Sequence, residues 1–303
     1  MSEHIHLRAL ILGAAAGGGL PQWNCGCANC VAARVPDSIL RPQTQSSLAV
    51  SSDGRNWALL NASPDIRQQI EANRQLHPRT LRHSPIRSVL VTNGDIDHIA
   101  GLLVLRERQP FDLFGTAALA EIIEANPIFR ALDKDCVPRR TIGLNTAFKL
   151  IEGIEATLFP VPGKVPLFME GDRPDLGLVG EQTVGVELRA GGRRVCYIPG
   201  CGKMTDQLIN RIRGCDLLFF DGTVFRDDEM ITTGTGQKTG CRMGHIAIDG
   251  ADGSLQALAD LDVSRTIYVH LNNTNPIWRC GPERAKVEAA GLEIGHDGME
   301  VVL

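Results

Sequence analysis

Three cysteines fall within Trp23-Asn24-Cys25-Gly26-Cys27-Ala28-Asn29-Cys30. Gly26 lets the backbone curl so that Cys25, Cys27 and Cys30 can converge, and soft thiolates favour zinc in a closed tetrahedral site. A fourth ligand must then come from far along the chain, stapling this loop to the core. A redox thiol pair and buried inert cysteines are the competing readings. A second cluster lies in Val89-Leu90-Val91-Thr92-Asn93-Gly94-Asp95-Ile96-Asp97-His98. Ile86 to Val91 reads as a short buried strand, Asn93-Gly94 as a turn and Ile99 to Leu105 as the next helix. From such a turn Asp97 and His98 offer a metal one carboxylate and one imidazole. The alternative is a helix cap made by Asp95 or Asp97, with His98 a core residue.

Other polar groups also stand at the ends of apolar runs. His270 follows the strand pattern starting at Ser264 to Tyr268, in Val269-His270-Leu271-Asn272-Asn273-Thr274-Asn275-Pro276. Asp221 ends the run Asp216 to Phe220 and reads either as a partner that orients a metal ligand or as a turn aspartate. Gly234 to Gly244, with Lys238, Cys241 and Arg242, reads as a ligand-contacting loop before a helix, and leads into His245. His245 is either a working group or a structural histidine. Lys238 and Arg242 suit carboxylates by charge. Gly17-Gly18-Gly19 lacks the Gly-Lys-Ser/Thr that would complete a phosphate loop.

The elements that must hold these groups alternate between strand and helix patterns. Strands are predicted over His6 to Leu12, Ser46 to Val50, Trp57 to Leu60, Phe111 to Phe114, Gln182 to Leu188 and Arg194 to Ile198. Helices are predicted after Ser63 as N-cap, over Thr116 to Asn126, Thr205 to Arg213 and Pro282 to Ala290. A strand from Ile154 enters a loop at Lys164, and Asp172 to Glu181 reads as a substrate-facing flap. Residues 1–303 are expected to form one domain, since no repeat or low-complexity linker divides them.

A net charge of −4 over 303 residues gives no basic footprint for nucleic acid. No apolar run approaches the roughly 18 residues of a membrane span. Nine cysteines, an odd number, in a chain whose start reads as a strand rather than an export signal, fit a soluble cytoplasmic protein without a disulfide framework. Homo-oligomerisation is left open.

The stretch Asn93 to His98 resembles the metallo-β-lactamase superfamily signature, His-x-His-x-Asp-His after a strand. Asn93 and Asp95 stand where the two histidines are expected; Asp97 and His98 match. In the superfamily those histidines serve one metal position and the Asp-His pair the other. The resemblance therefore implies a site reduced to one metal and puts hydrolysis in doubt. Consistent with this, no histidine lies near Lys164, and Pro199-Gly200-Cys201 occupies the place of a metal-bridging aspartate. Gly244-His245-Ile246-Ala247 is similar to the acid–base histidine segment of the tRNA-processing branch.

Together with the tri-cysteine loop, Asn272 to Pro276 and Asp297-Gly298-Met299-Glu300, these motifs resemble the branch of the superfamily devoted to pyrroloquinoline quinone (PQQ) biosynthesis. The fold implied is an αββα sandwich of two packed sheets flanked by helices. A phosphodiesterase branch shares the cysteine loop, and its pattern puts the fourth zinc ligand at Asn273, with Cys280 as the rival. Asp97, His98 and His270 supply a carboxylate and two imidazoles, the ligand set of open-faced non-haem Fe2+ sites, with Zn2+ or Mn2+ as substitutes in vitro. The implied activity is iron-dependent hydroxylation of the tyrosine ring in the crosslinked Glu–Tyr precursor of PQQ. His245 would move a proton or position substrate, Asp95 would be a weak ligand or support, and other PQQ-pathway enzymes are compatible partners. A carrier of PQQ or a late precursor towards the periplasm, and a metal-dependent hydrolase, are the alternatives.

Overall fold

Alternating apolar residues let each strand bury both faces, and the buried residues separate accordingly. In the computed structural model, which describes residues 6–303, Ala9 and Ile11 pack between two sheets while Leu10 and Leu12 pack against helices. Residues 1–5, where the N-terminal stretch was expected to run into the first strand, lie outside the described residues.

The first sheet comprises β1 (Arg8–Gly13), β2 (Ser47–Ser51), β3 (Trp57–Leu60), β4 (Ile86–Leu90), β5 (Asp112–Gly115) and β6 (Arg139–Thr141). The second holds β7 (Ala147–Ile151), β8 (Ile154–Pro160), β9 (Val184–Ala190), β10 (Arg193–Ile198), β11 (Leu217–Asp221), β12 (Thr266–Val269) and β13 (Glu293–Ile294). The C-terminal β14 (Glu300–Val302) returns to pair with β1, giving seven strands in each sheet among the described residues. Each sheet begins as antiparallel hairpins and ends in parallel strands: β3 to β6 in the first, β10 to β13 in the second. The topology thus repeats although the sequence does not.

Helices cover the outer faces and stand along the loop edge. They are α1 (Ala28–Ala33), α2 (Ile66–Ala72), α3 (Ile96–Ile99), α4 (Ala117–Ala125), α5 (Asp206–Ile212), α6 (Glu229–Thr232), α7 (Gly240–Met243), α8 (Ser254–Ala259) and α9 (Pro282–Ala289). Ile66 of α2 and Leu119, Ile122 and Ile123 of α4 bury against the first sheet; Leu208 and Ile212 of α5 and Val287 of α9 join the core of the second. Thr116 and Thr205 cap α4 and α5 through their hydroxyls. The expected cap at Ser63 is not made: α2 begins three residues later, and the Ser63 hydroxyl finds no partner. The expected helix from Ile99 to Leu105 also starts earlier, at Ile96, and tightens into a 3₁₀ turn over Ala100–Leu103. α7 lies before His245, not after it.

Parallel strands gather their carboxyl ends on one edge, where loops are free to carry chemistry. The loops after β4, β10, β11 and β12 carry Asn93 to His98, Gly200 and Cys201, Thr223, and His270.

Candidate metal centre

The loop after β4 delivers Asp97 and His98 from the first turn of α3. Neither Asp95 nor Asp97 caps that helix with its side chain, so the cap reading fails. Asp97 Oδ2 lies 3.0 Å from His270 Nε2 and 3.7 Å from His98 Nε2. Ligand atoms of Asp97, His98 and His270 all lie within 4.8 Å of one another.

The protonation pattern follows from the partners. Asn93 Oδ1 accepts the Asp95 backbone N–H and lies 2.6 Å from His98 Nδ1, so Nδ1 carries the proton. His98 Nε2 is then a bare lone pair, fully buried and without a hydrogen-bond partner among the described residues. Burial also pushes the His98 imidazole down to about 4, against the charge of Asp97, which keeps it neutral. A buried imidazole nitrogen with no partner, beside a carboxylate and a second imidazole, is what a metal would satisfy. These residues fit one.

His270 sits in the left-handed region, with φ of 59°, a conformation costing a non-glycine residue about 1 kcal/mol or more. Thr223 Oγ1, whose own proton goes to Asp221, accepts from His270 Nδ1 at 2.8 Å and holds the ring there. Burial disfavours the imidazolium, but the Asp97 hydrogen bond and charge outweigh it, so the His270 pKa is raised. The same Asp97 contacts, with His98, overcome burial and drive the Asp97 carboxyl far below the usual range. Gly17 completes the wall: a Cβ there would come within 3.5 Å of the Asp97 carboxyl carbon.

Asp221 has no exposure and no free lobe. It accepts from the backbone N–H groups of Cys201 and Thr223, the Thr223 hydroxyl, and His245 Nδ1 at 2.7 Å. Burial pushes its carboxyl up, yet the His245 charge and hydrogen bond hold the net shift downward. Asp221 therefore orients His245, whose ring stacks on His270 at 5.1 Å between centroids. Cys201 is fully buried; desolvation drives its thiol strongly upward, so it stands as a thiol and not as a substitute bridging anion. Burial, then the neighbouring Asp97 charge, raises Asp95, against the pull of Lys164.

The second cluster joins Cys25 and Cys27, on the loop leading into α1, with Cys30 inside that helix, their sulfurs within 4.8 Å of one another. The Asn273 amide tip lies in their midst, its Nδ2 3.2, 3.6 and 3.3 Å from the three sulfurs in that order. Turning the amide over would present Oδ1 as a fourth ligand. Cys280 is exposed and stands outside the group. Asn29 Nδ2 donates to the carbonyls of both Asn273 and Asn275 at 2.9 Å. One loop, residues 270–275, thus presents His270 to one cluster and Asn273 to the other.

That loop has a second brace, Glu229, whose carboxylate accepts from Thr274 Oγ1 and the Phe225 N–H. Burial raises its carboxyl from 4.5 to about 7. An unfolded glutamate gives up its proton near 4.5, so folding takes up a proton between the two values and stability falls as pH rises through that window. Glu229→Gln keeps both contacts, with its amide donating to Thr274. It should abolish a decline of about 3 kcal/mol between pH 5 and 8, read from urea midpoints.

Lys238 is partly exposed and makes no hydrogen bond or ion pair among the described residues. Arg242, on α7, is paired with Glu170. Sequence reasoning passed over Lys164, Thr223 and the orienting role of Asn93; the first two directly follow Gly163 and Asp221-Gly222, their only signal. Asp297 stood out in the sequence only as part of the Asp297-Gly298-Met299-Glu300 motif; in the structure it accepts from Ala14 N and from Thr44 N and Oγ1, bracing β1 to the β2 approach.

The family model of the beta-lactamase superfamily domain matches residues 56–271. A coenzyme PQQ synthesis protein B of Rhizobium meliloti (strain 1021) is 64% identical over 303 residues, covering 100% of both chains. The chain belongs to the coenzyme PQQ synthesis protein B family. Within that family, the crystal structure of Zn(2+)-bound PqqB from Methylobacterium extorquens is 54% identical, with a TM-score of 0.96 over 98% of this chain and 100% of that one. A diphosphatase of the PhnP family shares the fold at 19% identity and TM-score 0.70, covering 99% of this chain and 98% of that one. The two packed sheets with outer helices are thus the metallo-β-lactamase fold of this family, as the αββα expectation had it.

Proposed function

We propose that this chain serves PQQ biosynthesis by hydroxylating the tyrosine ring of the crosslinked Glu–Tyr precursor, with one iron held by Asp97, His98 and His270. The buried, unpartnered Nε2 of His98 beside Asp97 and His270 carries the reading. Bound Fe2+ would supply dioxygen chemistry on the faces these three ligands leave open. The stoichiometry requires a two-electron reductant: one oxygen atom enters the ring C–H bond and the other leaves as water.

The remaining roles belong to the chain. Thr223 fixes the His270 tautomer and Asn93 that of His98. His245, with Nδ1 tied to Asp221, keeps Nε2 to take or return a proton at the substrate hydroxyl, and Asp221 steadies the imidazolium. Asp95 stays close to Asp97 as a supporting carboxyl. Arg242 and Lys238, with Lys164, meet the precursor's carboxylates. Cys25, Cys27 and Cys30, with Asn273, hold a structural zinc. No helix among the described residues is long and apolar enough to cross a membrane, and a cytoplasmic site of action is part of the proposal.

A carrier of PQQ is the second reading, favoured by a cavity of about 640 Å³ beside His245 and Cys241. Reaction of the precursor under ¹⁸O₂ separates them. Hydroxylation predicts product with ¹⁸O on the ring; unchanged precursor with tightly bound PQQ favours the carrier.

A further inference from the structure

Residues 163–178 form a loop closed at its neck by the Gly163 N–H, which donates to the Leu178 carbonyl at 3.0 Å. Leu167, Phe168 and Met169 are 60, 48 and 51% exposed at its tip, a half-exposed apolar ridge. The next residue, Glu170, behaves in the opposite way. Its side chain is only 6% exposed, held by Lys164 Nζ at 2.9 Å and by Arg242 Nη2 at 2.8 Å.

These three residues touch the metal centre's own loops. The Lys164 stem runs over Gly244, where a Cβ would come within 3.1 Å of it, and Gly244 has φ of +87°. Gly244 precedes His245, and Arg242 lies on α7 just before it. Pro166 packs on Gly94, beside Asp95. Two cations therefore share one internal carboxylate at the rim of the site.

The pairing leaves capacity unused. Arg242 Nη1 is buried and has no hydrogen-bond partner among the described residues. Glu170 turns one oxygen to each cation, and Oε1, though 2.9 Å from Lys164 Nζ, makes no hydrogen bond among these residues, so neither cation meets a two-pronged partner. A free carboxylate could engage the guanidinium fork with both oxygens, a stronger arrangement. The displaced Glu170 is on the surface loop and can return to water, so exchange strands no buried charge.

We propose that Glu170 is an internal stand-in for a ligand carboxylate. A polycarboxylate entering the site takes Arg242 and Lys164, expels Glu170, and unlatches loop 163–178, whose apolar ridge then meets the ligand's ring. This deepens the PQQ-biosynthesis reading, from which the identity of the polycarboxylate comes; the latch itself rests on the three side chains. Competition from a tethered carboxylate weakens ligand binding in proportion to its effective concentration.

Calorimetric titration of the full chain with tricarballylate, a flexible tricarboxylate, tests it. Glu170→Gln should bind about tenfold more tightly than the parent. Asp172→Asn, which removes the same charge from the same loop without touching Arg242, should bind as the parent does. Arg242→Ala should lose the gain when combined with Glu170→Gln. Amide hydrogen exchange over residues 163–178 should be faster in Glu170→Gln than in the parent. Equal or weaker binding by Glu170→Gln, or equal tightening by Asp172→Asn, would overturn the latch. Tightening for tricarballylate but not for PQQ would support the latch and count against PQQ as the ligand.

Discussion

Replacing His270 should empty the active-site metal position while leaving the cysteine-site metal in place. His270 supplies one of two imidazoles there, and its other nitrogen is fixed by Thr223. Loss of an outer-shell partner alone typically costs about 10–100-fold in metal affinity, so loss of the ligand itself should exceed about 100-fold. The backbone at this position is left-handed, and alanine would add strain to the loss. Asn tolerates that conformation better, so His270→Asn separates the two causes. Both variants should retain one zinc per chain by elemental analysis and show no hydroxylation. The loop's other anchors, from Asn29 to Asn273 and Asn275, do not involve the ring. Full activity in His270→Asn would remove this residue from the ligand set.

Cys30→Ser should act on both metal positions, through stability first. Cys30 is the buried member of the three thiols; its desolvated sulfhydryl is raised to about 11. An ion must displace that proton, and binding then couples to folding. At a metal concentration about 1,000 times the dissociation constant, the bound ion adds about 4 kcal/mol. The variant should lose most of that, seen as a lower urea midpoint that added zinc no longer raises. Since residues 270–275 present both Asn273 and His270, its affinity for the second metal should also fall. A strong chelator should bring the parent to the same midpoint. A parent insensitive to chelation would show that packing, and not a metal, holds the cysteine loop.

Much of this arrangement could be read from the residues. Short branched runs ending in Asp-x-Asp-His, Asp-Gly-Thr and Val-His-Leu located the strand ends, because ligand-type side chains at the end of an apolar run have few structural reasons to be there. What escaped was set by tertiary contacts. Ser63 has the chemistry of an N-cap, yet Asp65 is drawn to the Gln45 N–H and α2 begins beyond it. Gly17-Gly18-Gly19 reads as a failed phosphate loop, and only the fold brings Gly17 against Asp97. Lys164 and Arg242 stand 78 positions apart in sequence, meeting only through Glu170. Asn93 could be recognised by sequence only as a missing histidine; its amide oxygen, 2.6 Å from His98, gives it a positive role.

The most direct measurement is oxygen uptake by protein loaded anaerobically with Fe2+, given the crosslinked Glu–Tyr precursor and a reductant. Uptake that depends on Fe2+, yields one hydroxylated product per O₂ and vanishes in His270→Asn is the expected result. No uptake by iron-loaded protein, with the precursor unchanged and zinc still held at Cys25, Cys27 and Cys30, would contradict an oxygenase.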